Sequence, residues 1–347
     1  MQNKLKLLVS VFFLIVSSVT GFTQKLELDE LGMQKERIRI IREATDAYRQ
    51  QNYRLVHELG RKYFSIENED ENIDKNDLKY FFFIVGESSI LVEDNKFALL
   101  LLGKAIDLGY GTGREYAILL VDPKFKQIRP KSTWKGLLKR SCKNFRDLAV
   151  SNGDNPEATL LYQTDQVERA VLVPELIRQN RLSENDVKDG IKRDTARRKK
   201  MRKLLSSGRL KSANDFYAAA MVFHHSANIK DTKLANSLAK KSLLFSRNKA
   251  EKCRAGWLYA ASLDRYLWLE GKPQIYGTQK RPIGLSIKDA IESTGNGKSL
   301  AGIKKFITIL SSKPVITLDP ININGVTNQE RLALCVPPIE SPVQEIQ

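Results

Sequence analysis

Asp264 and Arg265 stand side by side in an otherwise apolar run of Trp257, Leu258, Ala260, Ala261, Leu263, Leu267 and Trp268. Charges placed in such a run must find partners, because an unpaired ion is costly away from water. The run leads at once into Gly271-Lys272-Pro273-Gln274-Ile275-Tyr276-Gly277-Thr278-Gln279, a glycine-bounded loop dense in donors and acceptors and able to line a pocket. In a catalytic reading His225 is a general base and Asp264 fixes its tautomer. Arg265 grips a carboxylate or phosphate through two parallel N–H bonds, and Gln274, Tyr276, Thr278 and Gln279 bind and orient the substrate. The reaction would be that of a hydrolase or transferase acting on an anionic substrate. The same residues have an architectural reading, in which Asp264 and Arg265 form a buried bridge that ties the loop to its helix, the glutamines bond loop backbone, and His225 is a satisfied core histidine. A non-catalytic binding pocket lies between the two.

Other chemistries lack their residues. No P-loop, dinucleotide fingerprint, zincin helix or nucleophile elbow is present. Gly111-Thr112-Gly113 lacks the remaining glycine, and Lys298-Ser299 after Gly295 and Gly297 has the wrong spacing for a phosphate loop. The three histidines have no metal-ligand spacing to a cysteine, and the adjacent pair His224 and His225 points about a quarter turn apart on a helix, so neither a metal nor a cofactor is expected. Cys142, Cys253 and Cys335 make no disulfide framework; at most one bridge can form, the spacing does not say which, and they read as packed thiols.

The elements that must carry these residues read as helices. Ile38, Ile41, Tyr48, Leu55, Val56 and Leu59 recur at helical spacing over 29–64, with Gln50, Gln51 and Asn52 dividing two helices. The polar stretch 67–77 is a loop, Asp77 caps a third helix, and Asp94-Asn95 turns the chain into a fourth, Phe97 to Leu108, ended by Gly109. Helices follow over 141–151 and 156–180, and the polar turn from Ser151 to Pro156 marks a domain boundary. The stretch from Lys188 to Lys211, with Arg193, Arg197, Arg198, Lys199, Lys200, Arg202 and Lys203, reads as a helix with a solvated basic face, since a nucleic-acid groove would want interleaved aromatics and there are none. Ser212 to Asp215 caps a helix containing Phe216 to Phe223, Asp231 caps the next, and a third runs from Lys249 to Glu270, stopped by Gly271 and Pro273. Alanines on their facing sides predict a tight bundle. Beyond Lys272 the helix signals weaken, one helix remains over 299–310, and the end from Pro337 is a tail.

Two resemblances attach to these segments. Phe82, Val85, Gly86, Ala98, Leu102 and Ala105 sit close to the spacing of the tetratricopeptide repeat, whose small residues let antiparallel helices approach, and Ala44 and Val56 repeat the separation. Asp122-Pro123-Lys124-Phe125 through Trp134-Lys135-Gly136-Leu137-Leu138 looks like the segment that closes such repeat groups in bacterial proteins. The resemblance implies a helical-repeat domain over 25–140 that offers a face to a protein or peptide partner. Residues 155–340 resemble the uncharacterised bacterial family catalogued as domain of unknown function 6624. Asp165-Gln166 with Arg169 looks like its opening motif and Phe223-His224-His225 like its histidine segment, with His224 where the family has glutamine. Asp264-Arg265 followed by Gly271, Pro273, Gln274, Tyr276, Gly277, Thr278 and Gln279 matches its most specific signature, and Thr327 to Arg331 before Val336-Pro337-Pro338 looks like its closing motif. The resemblance adds Asp165, Gln166 and Arg169 to the candidate binding residues and carries no activity. The expected fold is therefore all-α: tetratricopeptide-like hairpins, then a helical bundle with a loop-rich C-terminal segment.

Composition bounds the setting. The chain has 347 residues, 42% apolar, enough for one large or two ordinary packed domains. Lys4 and Lys6, the apolar run Leu7 to Val16, and Ser17 to Gly21 read as a signal peptide over 1–21, its apolar run too short to span a bilayer. An exported protein, periplasmic or secreted and with no membrane anchor after cleavage, is the expectation. The net charge of +17 reads first as a solvated surface and second as a field that attracts polyanions such as anionic lipid or acidic glycans; with export no intracellular nucleic acid is expected, and the small anionic molecule is the partner that Arg265 implies.

Overall fold

The computed structural model describes residues 32–66, 73–173, 176, 183–282, 316–318, 322 and 325–339. The leader over 1–21 and the helix expected over 299–310 lie outside the described residues. So do most of the loop at 67–77, parts of the helix expected over 156–180, and all but the start of the tail. The described chain is all-α except for one small ribbon, and it divides into two compact units, residues up to Leu148 with 170–172, and residues 149–169 with 173 onward. No helix among the described residues is long and apolar enough to cross a membrane.

The first unit is built from α1 (Gly32–Arg49), α2 (Tyr53–Ser65), α3 (Lys75–Leu91), α4 (Asn95–Asp107), α5 (Arg114–Val121), a 3-10 turn (Pro123–Phe125) and α6 (Ser132–Ser151), whose last turn belongs to the second unit. Short turns join α1 to α2 and α3 to α4, and each pair packs together, so the partners run antiparallel. Asn52 and Asp94 start α2 and α4 by accepting the N–H of the residue three places on. The cap of α3 is Asp74, which accepts from Asn76 and Asp77; Asp77 lies inside the first turn. Close approach explains the small residues: a side chain on Gly86 would meet Leu102, and one on Gly60 would collide with Val85. Ile40, Val56, Phe81, Ile84, Val85, Leu101, Leu102, Phe125 and Trp134 share one apolar core. Buried inside this unit, Glu87 takes bonds from the Tyr48 hydroxyl and the Lys124 ammonium.

The second unit contains α7 (Pro156–Val167), α8 (Glu184–Ser206), α9 (Ala213–His224), α10 (Ile229–Phe245), α11 (Lys249–Leu269) and the short α12 (Asn328–Ala333). Strands β1 (Lys280–Pro282) and β2 (Ile316–Leu318) form the ribbon, antiparallel with Arg281 opposite Thr317. Capping boxes start three of the helices: Ser183 with Asp186 on α8, Ser212 with Asp215 on α9, and Thr327 with Glu330 on α12. Asn228, not Asp231, caps α10. Helix α10 packs against both α9 and α11, and Ala219, Ala220, Ala235 and Ala239, all fully buried, let the three helices close on Phe223 and Leu258.

Two sequence expectations change here. Cys253 and Cys335 form a disulfide across a separation of 82 residues, so only Cys142 is a free thiol. The bridge fastens α11 to the segment after α12, where a Cβ on Gly256 would stand 3.0 Å from the Leu334 backbone, so only glycine fits without displacing it. The basic stretch is a solvated helix only in part. Lys199, Lys200 and Lys203 face water, but Asp194, Arg197 and Arg198 are buried. The sequence reading counted charges along the stretch, whereas a helix sorts them by face.

Candidate functional site

Asn155 caps α7, and Asp165 lies three turns on, on the buried side of that helix. After Val167 the helix widens into a π-helical turn, Glu168–Leu172, in which the Val173 N–H bonds the Glu168 carbonyl five residues back. Such turns insert one residue into the helical repeat and re-aim the side chains around them, and they concentrate at functional sites. Here the turn carries Glu168 and Arg169.

His225 follows directly on the last residue of α9 and takes the C-cap position. Its Nδ1–H donates to Asp165 Oδ2 at 2.7 Å. Asp165 also accepts from Gln166 Nε2 at 3.0 Å and from Arg169 Nε at 3.2 and 3.3 Å, and Arg197 Nε stands 3.7 Å from its Oδ1. The network continues onto α8. Arg169 Nη2 donates to Asp194 Oδ2 at 3.0 Å, Arg197 donates to Glu168 Oε2 at 2.7 Å and to Asp194, and Arg193 pairs with Glu168 at 2.7 Å. Three carboxylates and three guanidiniums thus alternate between α7 and α8, and their charges cancel.

The electrostatics around His225 follow from this packing. Burial pushes the Asp165 carboxyl up, but His225, Arg169 and Arg197 outweigh it and hold it below the usual carboxylate range. Burial, then Arg169, lowers His225 from its ordinary value, with Asp165 opposing, so the ring is neutral at pH 7. Burial likewise drives His224 well below its ordinary value, helped by Arg265, His225 and Arg169, and its Nδ1 is buried with no hydrogen bond. No bond engages Nε2 of His225 among the described residues, and the side chain keeps 20% of its surface exposed.

Asp264 and Arg265, adjacent on α11, point about 100° apart and have separate tasks. Asp264, 0% exposed, does not orient His225; Asp165 does that. Asp264 Oδ1 accepts the N–H groups of Ile275 at 2.8 Å and Tyr276 at 2.9 Å, and its Oδ2 accepts the N–H and the hydroxyl of Thr278, both at 2.8 Å. It is the post on which the loop is wound. Gln274 and Gln279 close that loop, the Gln274 amide donating to the Gln279 carbonyl at 2.9 Å while the Gln279 N–H returns a bond of 2.7 Å. Gln279 also donates to the Ala261 carbonyl at 3.1 Å, and Arg331 holds the loop from outside through the Tyr276 and Pro337 carbonyls. Gln274, Thr278 and Gln279 therefore spend these bonds within the protein, and the loop is scaffold for Asp264 rather than a rim of substrate donors.

Arg265 is different. It is 7% exposed, its Nε has no partner, and among the described residues it makes no hydrogen bond or ion pair. The expected bridge to Asp264 is absent because that carboxylate is filled by the loop. Burial, then Arg169, lowers the Arg265 guanidinium from 12.5 to about 10, so it is fully charged at neutral pH. Its charge reaches His224 and His225, lowering both. One turn further along the same face of α11, the Trp268 indole N–H is also buried without an acceptor. The second unit thus joins Gln166, Arg169 and His225 through Asp165 and sets Arg265 within electrostatic reach of the histidines, while Gln274, Thr278 and Gln279 build the loop around Asp264. Glu168, Asp194 and Arg197 belong to the site; the sequence places Arg197 on a solvated basic face and singles out neither carboxylate, although Asp194 three residues before Arg197 inside a basic run is a signal that could find that pair. No group of metal-ligating side chains occurs among the described residues. No protein-family model, curated protein or solved structure matches the chain, so the reading of the site rests on its own geometry.

Proposed function

We propose that this is an exported helical protein whose C-terminal unit binds a small anionic ligand at Arg265. One observation carries the reading: a charged guanidinium buried inside a bundle and paired with no carboxylate among the described residues. Burying an ion costs several kcal/mol unless a counter-charge repays it, as Glu168 and Asp194 do for the buried Arg197. Because none of the described residues answers Arg265, we assign that role to a bound anion. A planar fork suits a carboxylate or a phosphate, and the buried Trp268 indole N–H on the same face of α11 is a second donor without an acceptor. The test is thermal unfolding in inorganic phosphate, sulfate and succinate. A bound anion at about 100 times its Kd stabilises by about 2.7 kcal/mol. Wild type should respond to at least one of these, and Arg265→Met to none; equal responses would end the proposal.

Export is part of the same proposal. It is supported by the leader-like residues 1–21 and by the Cys253–Cys335 bridge, which persists in oxidising compartments. N-terminal sequencing of the protein recovered from outside the cytoplasm should begin at Phe22. The stacked helical pairs of the first unit fit a tetratricopeptide-like domain with a protein or peptide partner, a reading supported by the close approach at Gly60 and Gly86. The kinship of 155–340 with domain of unknown function 6624 remains part of this proposal through Asp165, Arg169, His225 and the Asp264 loop. A catalytic triad of His225, Asp264 and Arg265 is not proposed, because Asp264 is consumed by the loop.

A further inference from the structure

We propose that His225 is a general base, held by Asp165, that activates water to hydrolyse an ester whose oxyanion sits on Arg265. The inference rests on the anion-binding reading above and adds a reaction to it. Three features of the geometry support it. The 2.7 Å bond from Nδ1–H to Asp165 fixes the tautomer with the lone pair on Nε2. That nitrogen has no partner among the described residues, on a side chain that is 20% exposed, so it is the one end of the ring left to act. Asp165 is itself held by Gln166 and Arg169, so the pair is fixed from behind, as a base that must not swing away requires.

Among the described residues the titratable groups that act on the ring are Asp165 and Arg169 from α7 and its π-helical turn, Arg197 through Asp165 from α8, His224 from α9 and Arg265 from α11. Burial, then Arg169, holds the imidazole below its ordinary value against Asp165, so it is neutral near pH 7, the state that accepts a proton. In the step, a water O–H breaks and its proton goes to Nε2 while the water oxygen bonds to the phosphorus or the acyl carbon. The ester bond to the leaving oxygen then breaks, and that oxygen takes the proton back from Nε2. Asp165 stabilises the imidazolium formed between the two transfers and stays ionised. His225 is the catalytic residue and Asp165 a positioning residue.

The experiment follows p-nitrophenol release from bis(p-nitrophenyl) phosphate and from mono-p-nitrophenyl succinate, which separates a phosphate ester from a carboxylate-bearing one. Full-length wild type should hydrolyse at least one, with a rate that falls as His225 protonates on the acid side. His225→Gln should lose about 10²–10⁴-fold. Asp165→Asn should lower kcat with little change in KM. Because Asp165→Asn also disturbs the arginine network, nitrogen-15 spectra of the wild-type histidines give an independent readout: Nδ1 protonated and Nε2 bare. Equal rates for wild type and His225→Gln, or a proton on Nε2 of the neutral ring, overturn the inference. If Arg265-dependent binding of phosphate or succinate survives that result, the anion site stands alone; if it fails as well, both readings fall.

Discussion

Replacing Arg265 with methionine should make the protein more stable in anion-free buffer, and this is the sharpest test of the site. In the fold Arg265 is 7% exposed, its guanidinium makes no ion pair among the described residues, and its pKa is lowered by burial and by Arg169 from 12.5 to about 10. Each factor of ten in acidity is worth about 1.36 kcal/mol, so the charged form is disfavoured by about 3 kcal/mol relative to water. A cation with a lowered folded pKa burdens the fold at every pH at which it stays charged, which here includes the whole neutral range. Methionine fills a similar volume with an adaptable side chain and carries no charge to desolvate. Losses of packing take back part of the gain, leaving an expected net stabilisation of about 1–3 kcal/mol. For a unit of roughly 150–250 residues each kcal/mol moves the midpoint by about 2–4 °C. Because the chain has two compact units, scanning calorimetry on the full-length protein is the right assay, and only one transition should rise. Phosphate or succinate should then stabilise wild type and leave the variant unmoved. A variant less stable than wild type without anions would show that Arg265 is structural, and the reasoning would be refuted.

Asp264→Asn should cost about 2–6 kcal/mol, since the amide faces at least two of the four loop donors with its own N–H groups and each stranded donor costs about 1–3 kcal/mol; faster proteolysis within 275–279 and a lower melting transition check it, and unchanged stability would count against the anchoring role. Breaking the Cys253–Cys335 bridge, which spans 82 residues, should remove about 4.5 kcal/mol on the chain-entropy account. Thiol titration in denaturant should find one free thiol before reduction and three after, with the melting transition falling on reduction. His224 has a folded pKa well below 6.5, chiefly from burial, so its contribution is intact above 6.5 and is lost as pH falls from there toward the folded value. His224→Gln should therefore flatten the acid limb of stability between pH 6.5 and 5, measured by urea titration at each pH; an unchanged limb would mean that another group governs it.

Much of this molecule is legible without coordinates, and the reasons are local. The helices over 32–49 and 53–65 follow from a 3.6-residue apolar repeat with Gln50 to Asn52 between them, and the helix from Lys249 ends where Gly271 takes a left-handed conformation. Capping boxes are spelled by residues three apart, so Ser212 with Asp215 can be read directly. Asp264 and Arg265 are also visible as charges out of place in an apolar run, while Asp165 and Arg169 enter only through a family resemblance. What the sequence cannot assign is partnership. Asp264 is adjacent to Arg265 in the chain, yet the helix turns them about 100° apart, and one anchors a loop while the other stands without an anion. His225 finds Asp165 sixty residues away, because packing α7 beside the end of α9 brings them to 2.7 Å. Arg197 looks like surface charge until α7 sets Asp165 and Glu168 against it. Cys253 is paired with Cys335 only once α12 is folded back onto α11. Element identity depends on neighbours within one or two turns, which the chain order contains; the sharing of charge among buried groups depends on which faces meet across the bundle, and that exists only in the tertiary structure.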